Sequence, residues 1–293
     1  MAIKGANLTM LIKKHLSKIT KTLVFSSLLA SSPLVSASFD ITLAGLNSFS
    51  TAHQVAFTEA ETFWENIITG YQPDYQKKRN SPDLTGITIN TTSITSDGVG
   101  NTLGSAGPTN FTNSFYYNYK YAVAGVMNFD PADLSNMDSN GSLLNIIKHE
   151  MAHVLGLGTL WSDNGLYNTG SGEYTGAAGL SAYQAEFDAA ATFIPVELEG
   201  GTGTANGHWN EGNGLELTGI TDSNGNDLRD ELMTGIYYNN GKTFLSNTTI
   251  SSFQDLGYTV AFPVAVPVPA AIWLFLSALG FLGFSNKKKV SLG

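Results

Sequence analysis

The segment SLLNIIKHEMAHVL, residues 142 to 155, indicates the central helix of the protein. Its apolar residues stand at positions 143, 144, 147, 151, 154 and 155, a spacing that predicts an amphipathic helix with one buried stripe. Gly156 and Gly158 follow, and glycine commonly ends helices. The sequence thus predicts a largely buried helix that carries His149, Glu150 and His153.

The pattern HExxH at residues 149 to 153 predicts a metal site on this helix. His149 and His153 are separated by about 6 Å along the helix axis on one face, so both can bind a single Zn²⁺ at about 2.0 to 2.1 Å. Glu150 lies beside the first ligand and can take a proton from a water molecule whose pKa the metal lowers to about 7. Burying these groups without partners would be costly, which favours the metal site over polar residues on an exposed helix face.

A catalytic zinc site needs three protein ligands, and the histidine count leaves one candidate for the third. The chain has five histidines and no cysteine. His15 lies in the N-terminal segment, and His53 lies early on another predicted helix. His208, in the Gly- and Asn-rich stretch around GHWNE, is therefore the predicted third ligand. The alternative is a loop histidine bonded to backbone.

The two ends of the chain carry features of an exported protein. Residues 1 to 37 hold five Lys and no acidic residue, then an apolar run and Ala37, which predicts a signal peptide and a mature chain beginning near Ser38. Apolar residues from 270 to 284 precede a Lys cluster, and such a run spans about 22 Å, a marginal membrane segment. We expect an extracellular or cell-surface protein that is transiently anchored through residues 270 to 284.

The charge between these ends excludes one class of partner. Of the 15 Lys and Arg residues eight lie in the two ends, so residues 38 to 284 hold seven basic residues against all 24 acidic ones, a formal charge of −17. Such a chain repels a phosphate backbone, and we expect no nucleic-acid partner. The lack of cysteine excludes disulfides, thiolate metal ligands and cysteine nucleophiles.

Residues 38 to 262 predict a single α+β domain. Residues 51 to 70 have apolar side chains at helical spacing, and residues 82 to 130 alternate β-rich pieces with turn-like clusters such as DGVGNTLGSAGPTN. Beyond the central helix the chain is rich in Gly, with a second helical patch around SAYQAEFDAAATF, residues 181 to 193. We expect a mixed sheet and long helices in the N-terminal part and a loop-rich C-terminal part.

Four segments resemble bacterial members of the leishmanolysin-like branch of the metzincin zinc peptidases. These segments are HEMAHVLGLGTLW, PVELEGGTG, GHWNE and ELMTG. The resemblance covers about residues 40 to 260 and implies a metzincin-like domain. It also implies roles for five residues: zinc ligands His149, His153 and His208, general base Glu150, and Met233 as a structural floor. Thr159 stands where the extended motif HExxHxxGxxH has its third histidine, and this branch inserts residues before that ligand. By composition alone Met233 would be an ordinary core methionine.

The C-terminal tail resembles the PEP-CTERM sorting signal of exported bacterial proteins. Pro267-Val268-Pro269 stands in place of Pro-Glu-Pro, ahead of the apolar run and its Lys cluster. The resemblance implies export machinery and a sortase-like membrane processing enzyme as partners. A plain membrane anchor is the alternative.

Two further groups of residues have competing interpretations. Asp222 to Asp227 offers oxygen ligands for Ca²⁺. Asp227 and Met233 replace the Gly and Glu of an EF-hand, which favours a solvated Asx-rich turn. Tyr237 or Tyr238 could donate a hydrogen bond to an oxyanion, although core or surface tyrosines are the more common case.

These observations predict a secreted or surface zinc-dependent endopeptidase that uses zinc-activated water and Glu150 as general base. Its substrate would be a polypeptide. A non-catalytic cell-surface or matrix binding protein with a structural zinc site is the main alternative. A zinc hydrolase acting on non-peptide amides is a second.

Overall fold

The structure, a computed structural model, describes residues 39–72, 84–100, 102–113, 119–212, 216–238 and 241–263. The predicted signal peptide and sorting signal lie outside these ranges. Within them a mixed sheet and helices occupy the part up to Val154, and loops dominate the rest, so the predicted α+β class is confirmed. None of the helices in these ranges combines the length and apolar character that crossing a bilayer would require.

The main sheet has four strands, of which only the edge strand beside the central helix runs antiparallel. The strands lie side by side in the order β1 (Asp40–Ala44), β3 (Gly86–Ser93), β5 (Lys120–Phe129) and β4 (Gly104–Asn113). β1, β3 and β5 pair in parallel, and β4 pairs antiparallel with β5. Two small antiparallel pairs are β2 (Ile68–Tyr71) with β8 (Tyr258–Val260) and β6 (Glu173–Tyr174) with β7 (Ile194–Pro195).

Two long helices pack together through a buried tryptophan. The described residues form the helices α1 (Thr51–Ile67), α2 (Pro131–Ser139), α3 (Leu143–Val154), α4 (Ala177–Glu186) and α5 (Asn247–Asp255). Trp64 of α1 is fully buried, and its Nε1 donates to the carbonyl oxygen of Lys148 at 3.0 Å. The metal-motif helix α3 therefore lies in the core, as its apolar spacing predicts.

The edge strand β4 contradicts the prediction of turns at residues 97 to 110. Gly104, Gly107 and Pro108 have weak strand propensity, yet this segment forms most of a ten-residue strand paired with β5. The tertiary pairing outweighs the local preference. Pro108 lies beside a shift in the pairing register, and an edge strand tolerates proline.

Helix boundaries differ from the prediction at three places. The helix predicted over residues 51 to 70 ends at Ile67, because Ile68 starts β2 and pairs with β8. The patch predicted at residues 181 to 193 is helical only as far as Glu186 and begins at Ala177. The α5 segment, assigned to the loop-rich part, is a helix whose N-cap Ser246 accepts from the backbone N–H of Thr249 at 3.0 Å.

Gly125 of β5 allows α3 to approach the sheet closely. A Cβ added there would overlap Cγ1 of Val154 and lie 2.8 Å from the carbonyl oxygen of Gly107. We expect Gly125→Ala to lower the free energy of unfolding in urea by about 1–3 kcal/mol, because overpacking forces backbone shifts. Gly107→Ala is the matched control, since a Cβ there meets no atom within 4 Å. Equal unfolding midpoints for the two variants would contradict this prediction.

Candidate metal centre

The first two predicted ligands lie one turn apart on α3. The ring centroids of His149 and His153 are 4.7 Å apart. Past the end of α3 Gly156 has a φ of 110°, a conformation that favours glycine. Thr159, at the usual position of a third histidine, donates its hydroxyl to the carbonyl oxygen of His153 at 2.7 Å. Thr159 thus adds a side-chain hydrogen bond to a carbonyl at the end of the helix, which also accepts from the backbone N–H of Gly156 at 3.2 Å.

The third predicted ligand reaches the site because the chain folds back against the end of α3. Gly158 has a φ of 73°, and a Cβ there would overlap the carbonyl oxygen of Gly207. Asn206 also has a positive φ, 70°, and its side-chain oxygen accepts from the Tyr167 hydroxyl at 2.6 Å. These contacts hold the turn that carries His208 against the helix.

The structure brings the three imidazoles together at their Nε2 atoms. The Nε2 of His153 lies 3.0 Å from those of His149 and His208, which are 3.1 Å from each other. Each Nδ1 meets a backbone carbonyl: His149 meets Leu232 at 2.7 Å, His153 meets Leu157 at 2.9 Å, and His208 meets Thr204 at 2.7 Å. A carbonyl only accepts, so each Nδ1 carries the proton and the three Nε2 lone pairs converge.

This donor set fits a metal ion. Burial, together with the adjacent His208, lowers the pKa of His149 to about 3. Burial likewise lowers the pKa values of His153 and His208, which favours the neutral form of all three rings. Converging lone pairs need a cation, and neutral imidazoles bind zinc at about 2.0 to 2.1 Å. In the described part of the chain, these three residues form the group of side chains whose ligand atoms lie close enough together to hold an ion.

Glu150 is buried beside the histidines, with 8% of its surface exposed. Burial raises the pKa of this carboxyl to about 8. A Cβ added to Gly104 would lie 3.1 Å from Oε1 of Glu150, so the start of β4 leaves room for the carboxylate. Glu150, the three histidines and the β4 residues 104 to 106 line one cleft of about 670 Å³. The three histidines, the Glu150 carboxyl group and the sheet edge therefore share one open space.

Met233 lies in a buried turn that bonds to both ligand segments. Its side chain is fully buried. The carbonyl of Leu232 accepts from His149, and the carbonyl of Met233 accepts from the backbone N–H of Trp209 at 3.0 Å. The turn therefore bonds directly to His149, and it bonds to Trp209, the residue that follows His208. That Met233 serves as a floor for zinc stays a prediction.

The predicted oxyanion-binding tyrosines and the predicted calcium segment make contacts within the protein. Tyr237 and Tyr238 line the cleft, and the Tyr237 hydroxyl accepts from Nδ2 of Asn145 at 3.3 Å. Asp222 accepts from the backbone N–H groups of Asn224 and Asn226, both at 2.8 Å. These bonds are typical of an Asx-rich turn. Calcium binding and an oxyanion-binding tyrosine stay predictions.

Two buried carboxylates around the turn were not predicted from the sequence. Glu211 and Glu231 are each 2% exposed. Glu211 accepts from the backbone N–H of Gly235 at 3.0 Å, and Glu231 accepts from that of Met233. The only feature of the sequence that could have pointed to Glu231 is its position two residues before Met233. A sequence does not distinguish a buried acid from a solvated one, because the partners come from distant segments.

Comparison with known proteins agrees with this geometry. The family model for leishmanolysin matches residues 109–274, more than half of the 293 residues. A leishmanolysin homologue from Crithidia fasciculata is 29% identical over an alignment of 151 residues that covers 46% of this chain. That match spans 20% of the relative, so the chain corresponds to about a fifth of its length. Because the family model covers the HExxH helix, His208 and Met233, the chain belongs to the leishmanolysin family of peptidases.

Proposed function

We propose that the protein is a zinc-dependent endopeptidase that hydrolyses polypeptides. The observation that carries this proposal is the convergence of three neutral imidazole nitrogens, 3.0 to 3.1 Å apart, beside a buried carboxylate in an open cleft. Membership of the leishmanolysin family and the similarity to a leishmanolysin homologue support the same activity.

His149, His153 and His208 would hold the ion. Zinc in such a site supplies a Lewis acid that polarises a carbonyl and lowers the pKa of water. The backbone carbonyls that accept from the three Nδ1 atoms fix the tautomer and the direction of each ring. The chain's own contribution to binding is therefore an oriented set of three ligands.

Glu150 would act as the general base. Its carboxylate takes the proton of the attacking water and returns it to the leaving amine, so one side chain serves both half-reactions. Burial raises the pKa of this carboxyl, and a cation held by the three histidines would lower it again and favour the ionised form that accepts the proton.

The edge strand β4 gives the cleft a means to bind an extended peptide. β4 has a strand partner only on its β5 side within the described residues, and Gly104, Ser105 and Ala106 line the cleft. An extended polypeptide can add to such an edge through main-chain hydrogen bonds. This mode of binding suits many sequences, which agrees with an endopeptidase.

The number of protein ligands favours catalysis over the alternative of a structural zinc site. Structural sites are closed by four ligands, whereas catalytic sites keep one position open. Within the described ranges the triad has no fourth His or carboxylate ligand close enough to complete it. The cleft of about 670 Å³ gives a substrate access to that position.

The proposal extends to export. The basic N-terminal segment with Ala37, and the apolar run from 270 to 284 with its Lys cluster, support secretion or surface display. Export machinery and a sortase-like processing enzyme would then be partners of the precursor. N-terminal sequencing and intact mass of the protein from its native cells would test both cleavage events.

A chelation experiment tests the proposed activity. We expect the purified full chain to cleave casein or a peptide library, and 1,10-phenanthroline to reduce cleavage to the level of a no-enzyme control. Zinc added in slight excess should restore it, because the residues that hold the ion remain in place. Metal content is measured on the same sample. A folded, zinc-loaded protein that cleaves nothing would favour the non-catalytic binding protein instead.

A further inference from the structure

Glu231 lies near the candidate metal centre, and its buried carboxylate accepts four hydrogen bonds. Its Oε1 accepts from the backbone N–H of Ser246 at 3.0 Å, the Ser246 hydroxyl at 2.9 Å and the Thr249 hydroxyl at 2.7 Å. Its Oε2 accepts from the backbone N–H of Met233 at 2.5 Å. Burial raises the pKa of this carboxyl, whereas these donors favour its ionised form, because a carboxylate accepts hydrogen bonds without donating any. The N-terminus of α5 also favours a negative charge there.

One arm of this network leads to His149. Glu231 and Met233 flank Leu232, whose carbonyl accepts from Nδ1 of His149 at 2.7 Å. The bond from Met233 N–H to Oε2 closes a short ring around Leu232. The direction of the Leu232 carbonyl, and with it the orientation of the His149 ring, thus depends on the carboxylate.

The other arm leads to the segment of His208. The Thr249 hydroxyl donates to Glu231 and accepts from Nε1 of Trp209 at 2.8 Å. Trp209 directly follows His208, is fully buried, and stacks on Trp161 with ring centroids 4.6 Å apart. The carboxylate therefore also fixes the indole that anchors the third ligand.

We propose that Glu231 is a positioning residue for the metal site, which orients His149 through the Leu232 carbonyl and His208 through Thr249 and Trp209. The inference rests on the proposed function in one respect, since it takes the three histidines as zinc ligands. Outer partners of metal ligands typically contribute about 10- to 100-fold to metal affinity.

Glu231→Gln tests this inference with little change in shape. The amide keeps one acceptor oxygen but turns its NH₂ group toward N–H or O–H donors that need an acceptor. Glu186→Gln is the matched control: Glu186 accepts from the backbone N–H groups of Asn247 at 3.0 Å and Thr248 at 2.9 Å. It therefore caps the same helix α5, yet it does not bond to Trp209 or Met233.

The measurements are zinc affinity, by competition with a chromogenic chelator, and the visible absorption spectrum of the Co²⁺-substituted full chain. We expect Glu231→Gln to weaken zinc binding about 10- to 100-fold and to alter the Co²⁺ spectrum. Glu186→Gln should stay close to wild type in both. A folded Glu231→Gln protein with wild-type affinity and spectrum would overturn the inference.

A second pair of variants keeps the test decisive if Glu231→Gln does not fold. Thr249→Val removes the hydroxyl between Trp209 and Glu231, and Thr249→Ser retains it. We expect weakened zinc binding for the first and near wild-type binding for the second. Wild-type affinity in a folded Thr249→Val protein would overturn the inference in that case.

The outcomes separate this inference from the proposed function. A wild-type chain that binds zinc but cleaves no peptide contradicts the peptidase, while the affinity comparison still decides the role of Glu231. A peptidase with unchanged zinc affinity in Glu231→Gln contradicts only the positioning role. A wild-type chain that binds no zinc contradicts both.

Discussion

Glu150→Gln is expected to keep its zinc and to lose peptide hydrolysis by at least about 10²- to 10⁴-fold, the usual contribution of a general base. Glutamine has nearly the same shape, so the packing against Gly104 is retained. Its amide does not accept a proton at neutral pH. The loss should appear in kcat, because the ligands and the sheet edge are unchanged.

The measurement is a peptide-cleavage progress curve with metal analysis on the same preparation. Glu173→Gln is a suitable control, because Glu173 is an exposed residue of β6 outside the cleft. Wild-type turnover by zinc-loaded Glu150→Gln would refute the role of Glu150. It would also favour a mechanism in which another group of the cleft accepts the proton.

His208→Ala is expected to weaken zinc binding by more than the roughly 100-fold typical of an outer partner, because it removes a ligand itself. The variant leaves His149 and His153 with two converging nitrogens and an open space where the third was. Peptide hydrolysis should fall with the metal content. Zinc affinity and cleavage are measured together.

His53→Ala is the matched control for His208→Ala. His53 lies in the first turn of α1 and does not line the cleft. We expect wild-type zinc affinity in this variant. If His208→Ala retained tight zinc while His53→Ala lost it, the assignment of the third ligand would be wrong.

Much of the site can be predicted from the sequence, because two of its histidines lie close together in one motif and the chain has few other histidines. HExxH places two predicted ligands and a carboxylate on one helix, and the apolar spacing of that helix predicts its burial. A chain with five histidines leaves few choices for the third ligand. In the structure the Nε2 atom of His208 lies within 3.1 Å of the Nε2 atoms of His149 and His153. This position agrees with the choice of His208 as the third ligand.

Other parts of the fold depend on tertiary partners that a single sequence does not contain. The edge strand β4 has Gly104, Gly107 and Pro108, and only its pairing with β5 makes it a strand. The role of Glu231 needs Ser246 and Thr249, which lie 15 and 18 residues further along the chain. The approach of Gly207 to Gly158 likewise depends on how the intervening loops fold.

The meeting of His153 and His208 also has a consequence for the strength of the fold. These residues are 55 positions apart, yet their Nε2 atoms lie 3.0 Å apart. An ion held by both would act as a cross-link closing that loop, and the chain-entropy treatment of such links gives about 4 kcal/mol for this loop length. In a chain with no cysteine, metal would take the part that disulfides play in many exported proteins. Residues 159 to 207 would then be the first to open to proteolysis when the ion is withdrawn.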